Sequence, residues 1–362
     1  MRPILILGGY GNFGKRIAQA LIHANAPVII AGRNKQKAEA LKDTLNSPLA
    51  ATACFDAFNE LEGALEKLKP AVVVNTCGPF QMSDYSIAEC CIRHGAHYID
   101  LADARDFVTG ITALDERARK QRVAVISGAS TVPALSSAVL ERFGREFAEI
   151  DEMKFGISPG QKAERGLATT QGILSYVGKP LSPFRGHRNT VYGWQDLYRQ
   201  TYPELGPRWM ANCDIPDLDL LPERYNITSI RFSAGLELSV LHLGLWGASW
   251  LVRSGLALNL PRFAKPLLNA SNWFNVLGTA DGGMHVIITG RNHHGEARTL
   301  KWFMIALDGC GPHIPTIPAI ILSKKLAQEG EQHSGAAPCV GMITLDDYLA
   351  ELQDYPIKTF VE

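Results

Sequence analysis

The feature that most constrains this chain is a glycine-spaced turn set between an apolar run and an amphipathic stretch. Ile4 to Leu7 is uniformly apolar, Gly9-Tyr10-Gly11-Asn12-Phe13-Gly14 follows, and Phe13, Ile17 and Leu21 then recur at four-residue spacing. A run that is apolar on both faces reads as a buried parallel strand, and the repeat at four reads as one face of a helix. The pattern G-x-G-x-x-G is weak alone, but between a strand and a helix it marks a dinucleotide-binding turn. Gly9 allows the tight turn, Gly11 lets the backbone approach a pyrophosphate, and Gly14 lets the helix pack close to the strand. The first-turn amides and the helix dipole, along Tyr10 to Phe13, would hold the anion. A plain strand-to-helix turn is the alternative.

The alternation continues. Val28 to Ala31, Val72 to Asn75, Tyr98 to Leu101 and Val123 to Ile126 are further apolar runs, with amphipathic stretches such as Leu61, Leu65 and Leu68 between them. This predicts an α/β, Rossmann-like, doubly wound parallel sheet. Near residue 150 the pattern changes. Met153, Phe155 and Ile157 alternate with Glu152, Lys154 and Gly156, which predicts an antiparallel strand buried on one face. Met284 to Thr289 and Thr299 to Ala306, joined through Gly290 to Gly295, predict a hairpin. The expected second domain is α+β with a mixed or antiparallel sheet. The expected division is a dinucleotide-binding domain over 1–130, a substrate and dimerisation domain over 131–310, and a C-terminal segment over 311–362.

The end of the second strand bears on the dinucleotide. NAD enzymes place a carboxylate there to bond the ribose 2′-hydroxyl. Here the chain reads Ala31-Gly32-Arg33-Asn34, followed by Lys35 and Lys37. A guanidinium suits a 2′-phosphate, so NADP (NADPH) is favoured over NAD. For Lys35 and Lys37 a solvated helix start is the bland alternative. Asp56, after the third strand, is a candidate for an adenine amino group. Thr76-Cys77-Gly78-Pro79, at the carboxyl end of the fourth strand, is a candidate for the ribose and nicotinamide side, or a structural loop.

Charge excludes one class of partner. Among 362 residues, 36 Lys and Arg balance 36 Asp and Glu, so a nucleic-acid binder relying on bulk positive charge is excluded. Seven cysteines, an odd number without C-x-x-C spacing, suggest neither a disulfide framework nor a zinc site. No metal site is expected, and the first apolar run is too short for a signal peptide, so a cytoplasmic protein is expected. From Leu238 to Val252 there is no charge, and Arg253 is the only one before Leu260. A buried helix or dimer face is the first reading of that stretch, and a membrane-surface element the second. Arg253 and several polar residues argue against a span.

Together these motifs resemble the saccharopine dehydrogenase-like oxidoreductases, most closely a bacterial branch. The resemblance rests on Gly9 to Gly14, the Ala-Gly-Arg-Asn strand end, Cys77-Gly78-Pro79-Phe80, Tyr98-Ile99-Asp100-Leu101-Ala102-Asp103, and Ser127 to Pro133. Leu205 to Trp209, Gly282-Gly283-Met284 and Gly311 to Pro315 extend it over nearly the whole chain. It implies a Rossmann domain, a mixed-sheet second domain and a final segment that returns to the first. It also implies hydride transfer between NADPH and an imine or amino-acid-like substrate, in a homo-oligomer. Another branch reduces double bonds of lipid-like substrates. The amino-acid-binding pattern of true saccharopine reductases is absent here.

The candidate catalytic groups are Cys77, Asp100 and Asp103, with Ser130 nearby. Asp100 ends the fifth strand and is expected to face the crevice, where a carboxyl could protonate a developing anion if its pKa were raised by burial. Each aspartate has the alternative of capping the following segment, and Cys77 that of a small packing residue. A Tyr-x-x-x-Lys pair is absent, since Tyr176 and Lys179 are three apart, and His293-His294 reads as an exposed turn. Two alternatives to an imine-directed enzyme stand. One is a lipid-modifying enoyl or keto reductase at a membrane surface. The other is a non-catalytic NADP-binding sensor.

Overall fold

The computed structural model describes residues 2–256, 259–328 and 334–362. The apolar runs of the first part are β1 (Ile4–Leu7), β2 (Val28–Gly32), β3 (Ala50–Cys54), β4 (Val72–Asn75), β5 (His97–Asp100) and β6 (Ala124–Ser127). The second part holds β7 (Glu149–Ser158), β8 (Tyr198–Tyr202), β9 (Gly206–Asn212), β10 (Ser229–Ala234), β11 (Gly282–Arg291) and β12 (Ala297–Ala306). Two short strands, β13 (Gly335–Pro338) and β14 (Ile357–Val361), come last.

The first sheet is seven-stranded and wholly parallel, in the order β13-β6-β5-β4-β1-β2-β3. Its central strand β1 pairs β2 on one side and β4 on the other. The winding therefore reverses at β1, which opens a crevice at the carboxyl ends of β1 and β4. The strands are buried because helices cover both faces. All four residues of β1 are at most 1% exposed, as a parallel strand requires. The helix α1 (Asn12–His23) turns Ile17, Ala18, Leu21 and Ile22 inward. Each fully buried Ile or Leu contributes about 2 kcal/mol in transfer terms. The expected doubly wound α/β sheet is present.

The second sheet is also seven-stranded, in the order β14-β12-β11-β7-β10-β9-β8, and it is mixed. The strand at 149–158 is longer than expected and is not purely antiparallel: β7 pairs antiparallel with β11 but parallel with β10. Its alternation reports one buried face, with Met153 and Phe155 wholly buried, and that property does not fix the direction of the neighbours. The expected hairpin is β11 and β12, paired over their full lengths.

The chain divides into two units, 1–135 with 313–343, and 136–312 with 344–362. The C-terminal stretch is thus shared, rather than passing whole to the first domain. The helix Ile317–Ala327 is mostly apolar and buries every residue but Lys324 and Lys325, and β13 extends the parallel sheet beside β6. β14 pairs instead with β12, which draws 344–362 into the second unit.

The apolar stretch Leu238 to Leu260 does not form a buried core helix within the second unit. Its helix spans Ser239–Arg253 and buries only His242 and Ser249 fully. Val240, Leu243, Trp250, Leu251 and Leu256 are exposed. Ala257 and Leu258 lie outside the described residues. No described helix is long and apolar enough to cross a membrane.

Candidate functional site

The turn after β1 is built from backbone. Gly8 has φ +72°, and a Cβ there would stand 2.7 Å from the Thr76 hydroxyl. The left-handed position therefore falls on Gly8, one residue before the glycine to which the fingerprint assigns the tight turn. Gly9 is required for another reason: a Cβ on it would press on Ile30 at 3.0 Å. Gly14 has the tightest fit. A Cβ there would lie 2.4 Å from the Gly8 carbonyl oxygen and 2.7 Å from the Gly9 Cα, and backbone cannot yield to it. Gly11 is the N-cap of α1 and closes the turn by donating its N–H to the Gly8 carbonyl at 2.8 Å. No side chain caps this helix end and no acid lies in its first turn, so the outward amides and the positive end of the dipole stay available to an anion. Phe13 is half-buried, and the Asn12 side chain accepts from the Arg16 guanidinium.

The end of β2 lies beside this turn. The Tyr10 ring covers Gly32, where a Cβ would meet it at 2.6 Å, and the Tyr10 hydroxyl oxygen accepts from the Asn34 amide at 2.9 Å. Asn34 is spent locally: its Oδ1 accepts from the Lys37 amide and caps the helix Lys35–Leu45. The Arg33 and Lys37 side chains are exposed. No hydrogen bond or ion pair engages the Arg33 guanidinium among the described residues. Asp56 Oδ1 accepts from the Phe58 amide in a local turn.

The third edge is the loop after β4. Thr76 donates its hydroxyl to the Leu7 carbonyl at 2.8 Å, which ties this loop to the end of β1. The Cys77 amide donates to Asn75 Oδ1 at 3.0 Å, and a Cβ on Gly8 would be 3.2 Å from the Cys77 sulfur. Burial pushes the Cys77 thiol up to about 11, against a lowering by Arg33 and with a smaller raising by Asp56. At neutral pH it is a protonated packing group, not a nucleophilic thiolate. The same interactions place Arg33 and Asp56 within electrostatic reach of Cys77. Gly78 and Pro79 follow, joined by a cis peptide bond.

The two aspartates separate sharply. Asp100 is wholly buried, and its Oδ1 accepts from the Ala102 amide, the Ser127 hydroxyl and the Gly128 amide at 2.9–3.0 Å. It latches the ends of β5 and β6 together instead of facing the crevice as expected. Burial pushes its carboxyl up to about 6, although those three donors and, more weakly, the Tyr98 hydroxyl oppose the rise. Asp103 sits in the loop beyond β5, partly exposed, with Oδ1 accepting from Gln81 Nε2 at 3.2 Å. Burial raises its pKa as well. Ser130 is partly exposed just past the Gly128 turn.

Three contributors carry little or no sequence signal. Gly8 follows β1 directly, and its doubling with Gly9 was the available clue. Gln81 had none, because only the fold brings it to Asp103. His313, within the Gly-Pro-His-Ile-Pro segment, lies near Lys15 and Arg16 of α1. Burial, reinforced by Arg16 and Lys15, lowers its pKa to about 4, so its imidazole is neutral. His293 and His294 lie in the β11–β12 turn, where His293 Nε2 contacts the Arg145 carbonyl at 3.0 Å.

Comparison with known proteins agrees with this geometry. The saccharopine dehydrogenase NADP binding domain family matches residues 4–132. A sequence search of curated proteins found no match. Among solved structures, the apo, histidine-tagged, L-glutamate-forming saccharopine dehydrogenase of Saccharomyces cerevisiae superposes on 99% of this chain and 100% of its own. Its TM-score is 0.66 at 13% identity, which shows a shared fold. Amine dehydrogenase from Mycobacterium smegmatis covers 94% of this chain and 95% of its own, with TM-score 0.49 and 11% identity. Residues 4–132 thus match the saccharopine dehydrogenase NADP binding domain family, and the chain shares its fold with the yeast saccharopine dehydrogenase.

Proposed function

We propose that this protein is an NADP-dependent oxidoreductase that moves a hydride to or from an imine or amino-acid-like substrate. One observation carries the reading: the unengaged Arg33 guanidinium stands at the end of β2, beside a glycine turn too tight for any Cβ at Gly14. The residues present fit a dinucleotide. Gly9 and Gly11 would let the pyrophosphate approach the amides that open α1, and Arg33 with Lys37 would take the 2′-phosphate. Asp56 would face the adenine side, and Cys77-Gly78-Pro79 the nicotinamide side. When bound, the cofactor supplies the hydride. What the chain adds is position and a proton. Asp103, held by Gln81 and with its pKa raised, would hold a proton for a developing amine, whereas the buried Asp100 would not. The test is a screen of imines, ketones and enoyl compounds with NADPH, followed by loss of absorbance at the nicotinamide band. Turnover of an imine that falls about a hundredfold in Asp103→Asn, with NADPH affinity retained, supports it. Absence of any turnover favours a non-catalytic sensor.

A second reading keeps the cofactor and changes the substrate to a lipid met at a membrane surface. Its support is the exposed face of Val240, Trp250, Leu251, Phe263, Trp273 and Val276. From Leu238 to Ala280 the only charges are Arg253, Arg262 and Lys265, with no carboxylate among them. Apolar and tryptophan side chains beside cations suit an anionic bilayer surface. Co-sedimentation with anionic but not neutral vesicles supports this reading, and failure to sediment with either removes it.

A further inference from the structure

The second unit contains a cavity of about 340 Å³ that the dinucleotide chemistry does not use. Its walls come from three helices: Ile173 from Leu167–Tyr176, Leu241 and Leu245 from Ser239–Arg253, and Leu267 from Ala264–Asn272. The volume lies within the range of small-molecule sites. Walls of this kind offer few directional bonds, so they select for alkyl surface. Val240 and Leu267 line the cavity and are also 61% and 44% exposed, so it opens to the outside and a chain can enter it.

One charged side chain lines this cavity, that of Arg165. Its Nη2 donates to the Gln161 carbonyl at 2.7 Å, while its Nε is buried with no hydrogen-bond partner. It forms no ion pair among the described residues. Burial lowers its pKa, and no carboxylate offsets that effect. A desolvated guanidinium left with an orphaned N–H is unsatisfied until an acceptor arrives. The planar fork suits a carboxylate, and one cation matches a single negative charge better than a doubly charged phosphate.

We propose that the cavity binds a long-chain carboxylate, its alkyl chain lying between the three helices and its head group on Arg165. The site belongs to the second unit alone and does not depend on the hydride chemistry proposed above. Gly244 and Ala248 keep the space open. Both line the cavity one helical turn apart, and a Cβ on Gly244 meets nothing within 4 Å.

The test is isothermal titration of the full chain with decanoate and with decan-1-ol. The wild type should bind decanoate at one equivalent. Arg165→Gln should weaken decanoate about tenfold or more, through loss of a charge-assisted contact, and leave decan-1-ol unchanged. The double variant Gly244→Leu/Ala248→Leu should abolish binding of both ligands. Leu is a better helix former than Gly, and an unchanged tryptophan-fluorescence melt checks that the helix is retained. No decanoate binding by the wild type overturns the proposal. So does equal weakening of acid and alcohol in Arg165→Gln, or undiminished binding in a folded double variant. NADPH titration of the same preparations reads the first unit separately, so failure of one proposal is distinguishable from failure of the other.

Discussion

Asp100→Asn offers a quantitative check on the latch between β5 and β6. The folded carboxyl titrates near 6, against the usual 3.8, because burial opposes its charge. A raised folded-state pKa means that the unfolded chain gives up this proton first, near pH 4, and the folded chain only near pH 6. Stability from this group is therefore full below about pH 4, is lost progressively between pH 4 and 6, and stays low above. At about 1.4 kcal/mol per pH unit, the loss amounts to about 3 kcal/mol. Asparagine carries no charge, so the variant escapes that loss. Its Oδ1 can still accept from Ala102, Ser127 and Gly128, but its amide N–H₂ takes the place of Asp100 Oδ2, which has no partner. That buried donor costs about 1–3 kcal/mol, equally at every pH. The difference in stability between variant and wild type should thus shift by about 3 kcal/mol in favour of the variant from pH 4 to pH 7. The assay is urea unfolding followed by far-UV circular dichroism across that range. All six tryptophans lie in the second unit, at 194, 209, 246, 250, 273 and 302, so their fluorescence is an internal control that should not move. A difference that does not change with pH, or that favours the wild type as pH rises, refutes the raised pKa and the latch argued from it.

Two further outcomes follow from the turn around β1. Gly14→Ala, whose Cβ would meet backbone at 2.4 Å, should lower stability by about 1–3 kcal/mol and weaken dinucleotide binding at least tenfold in a fluorescence titration. Iodoacetamide at pH 8 with peptide mass mapping should label exposed Cys54 and leave Cys77 unmodified, because burial holds its thiol near 11. Rapid labelling of Cys77 would show a thiolate and return it to the list of nucleophiles.

Much of the first unit was legible because each of its signals is local. A parallel strand buried on both faces must be continuously apolar, and Ile4–Leu7 and Val72–Asn75 are. Gly14 could be read as a packing glycine because the contact it permits, against Gly8 and Gly9, lies within one turn of chain. What was not legible depends on contacts distant in sequence. Asp100 ends a strand where a catalytic acid would stand, and only β6 beside it shows that its Oδ1 is consumed. Gln81 meets Asp103 across 22 residues, and Arg208 is buried among the carbonyls of Ser158, Pro159 and Asp281. Hydrophobicity likewise predicted burial for Leu238 to Leu260, but within the second unit the helix Ser239–Arg253 buries only His242 and Ser249 fully. The strands β8 and β9 escaped notice because their edge-sheet pattern, with exposed Arg199 and Thr201, lacks a strong apolar period.

The central claim is that the first unit holds NADP, with Arg33 on the 2′-phosphate. The direct measurement is isothermal titration of wild type and Arg33→Ala with NADPH and with NADH. The account predicts that the wild type prefers NADPH, and that Arg33→Ala loses about tenfold or more in NADPH affinity with NADH affinity unchanged. Tighter binding of NADH by the wild type, or equal loss for both dinucleotides in the variant, would contradict it.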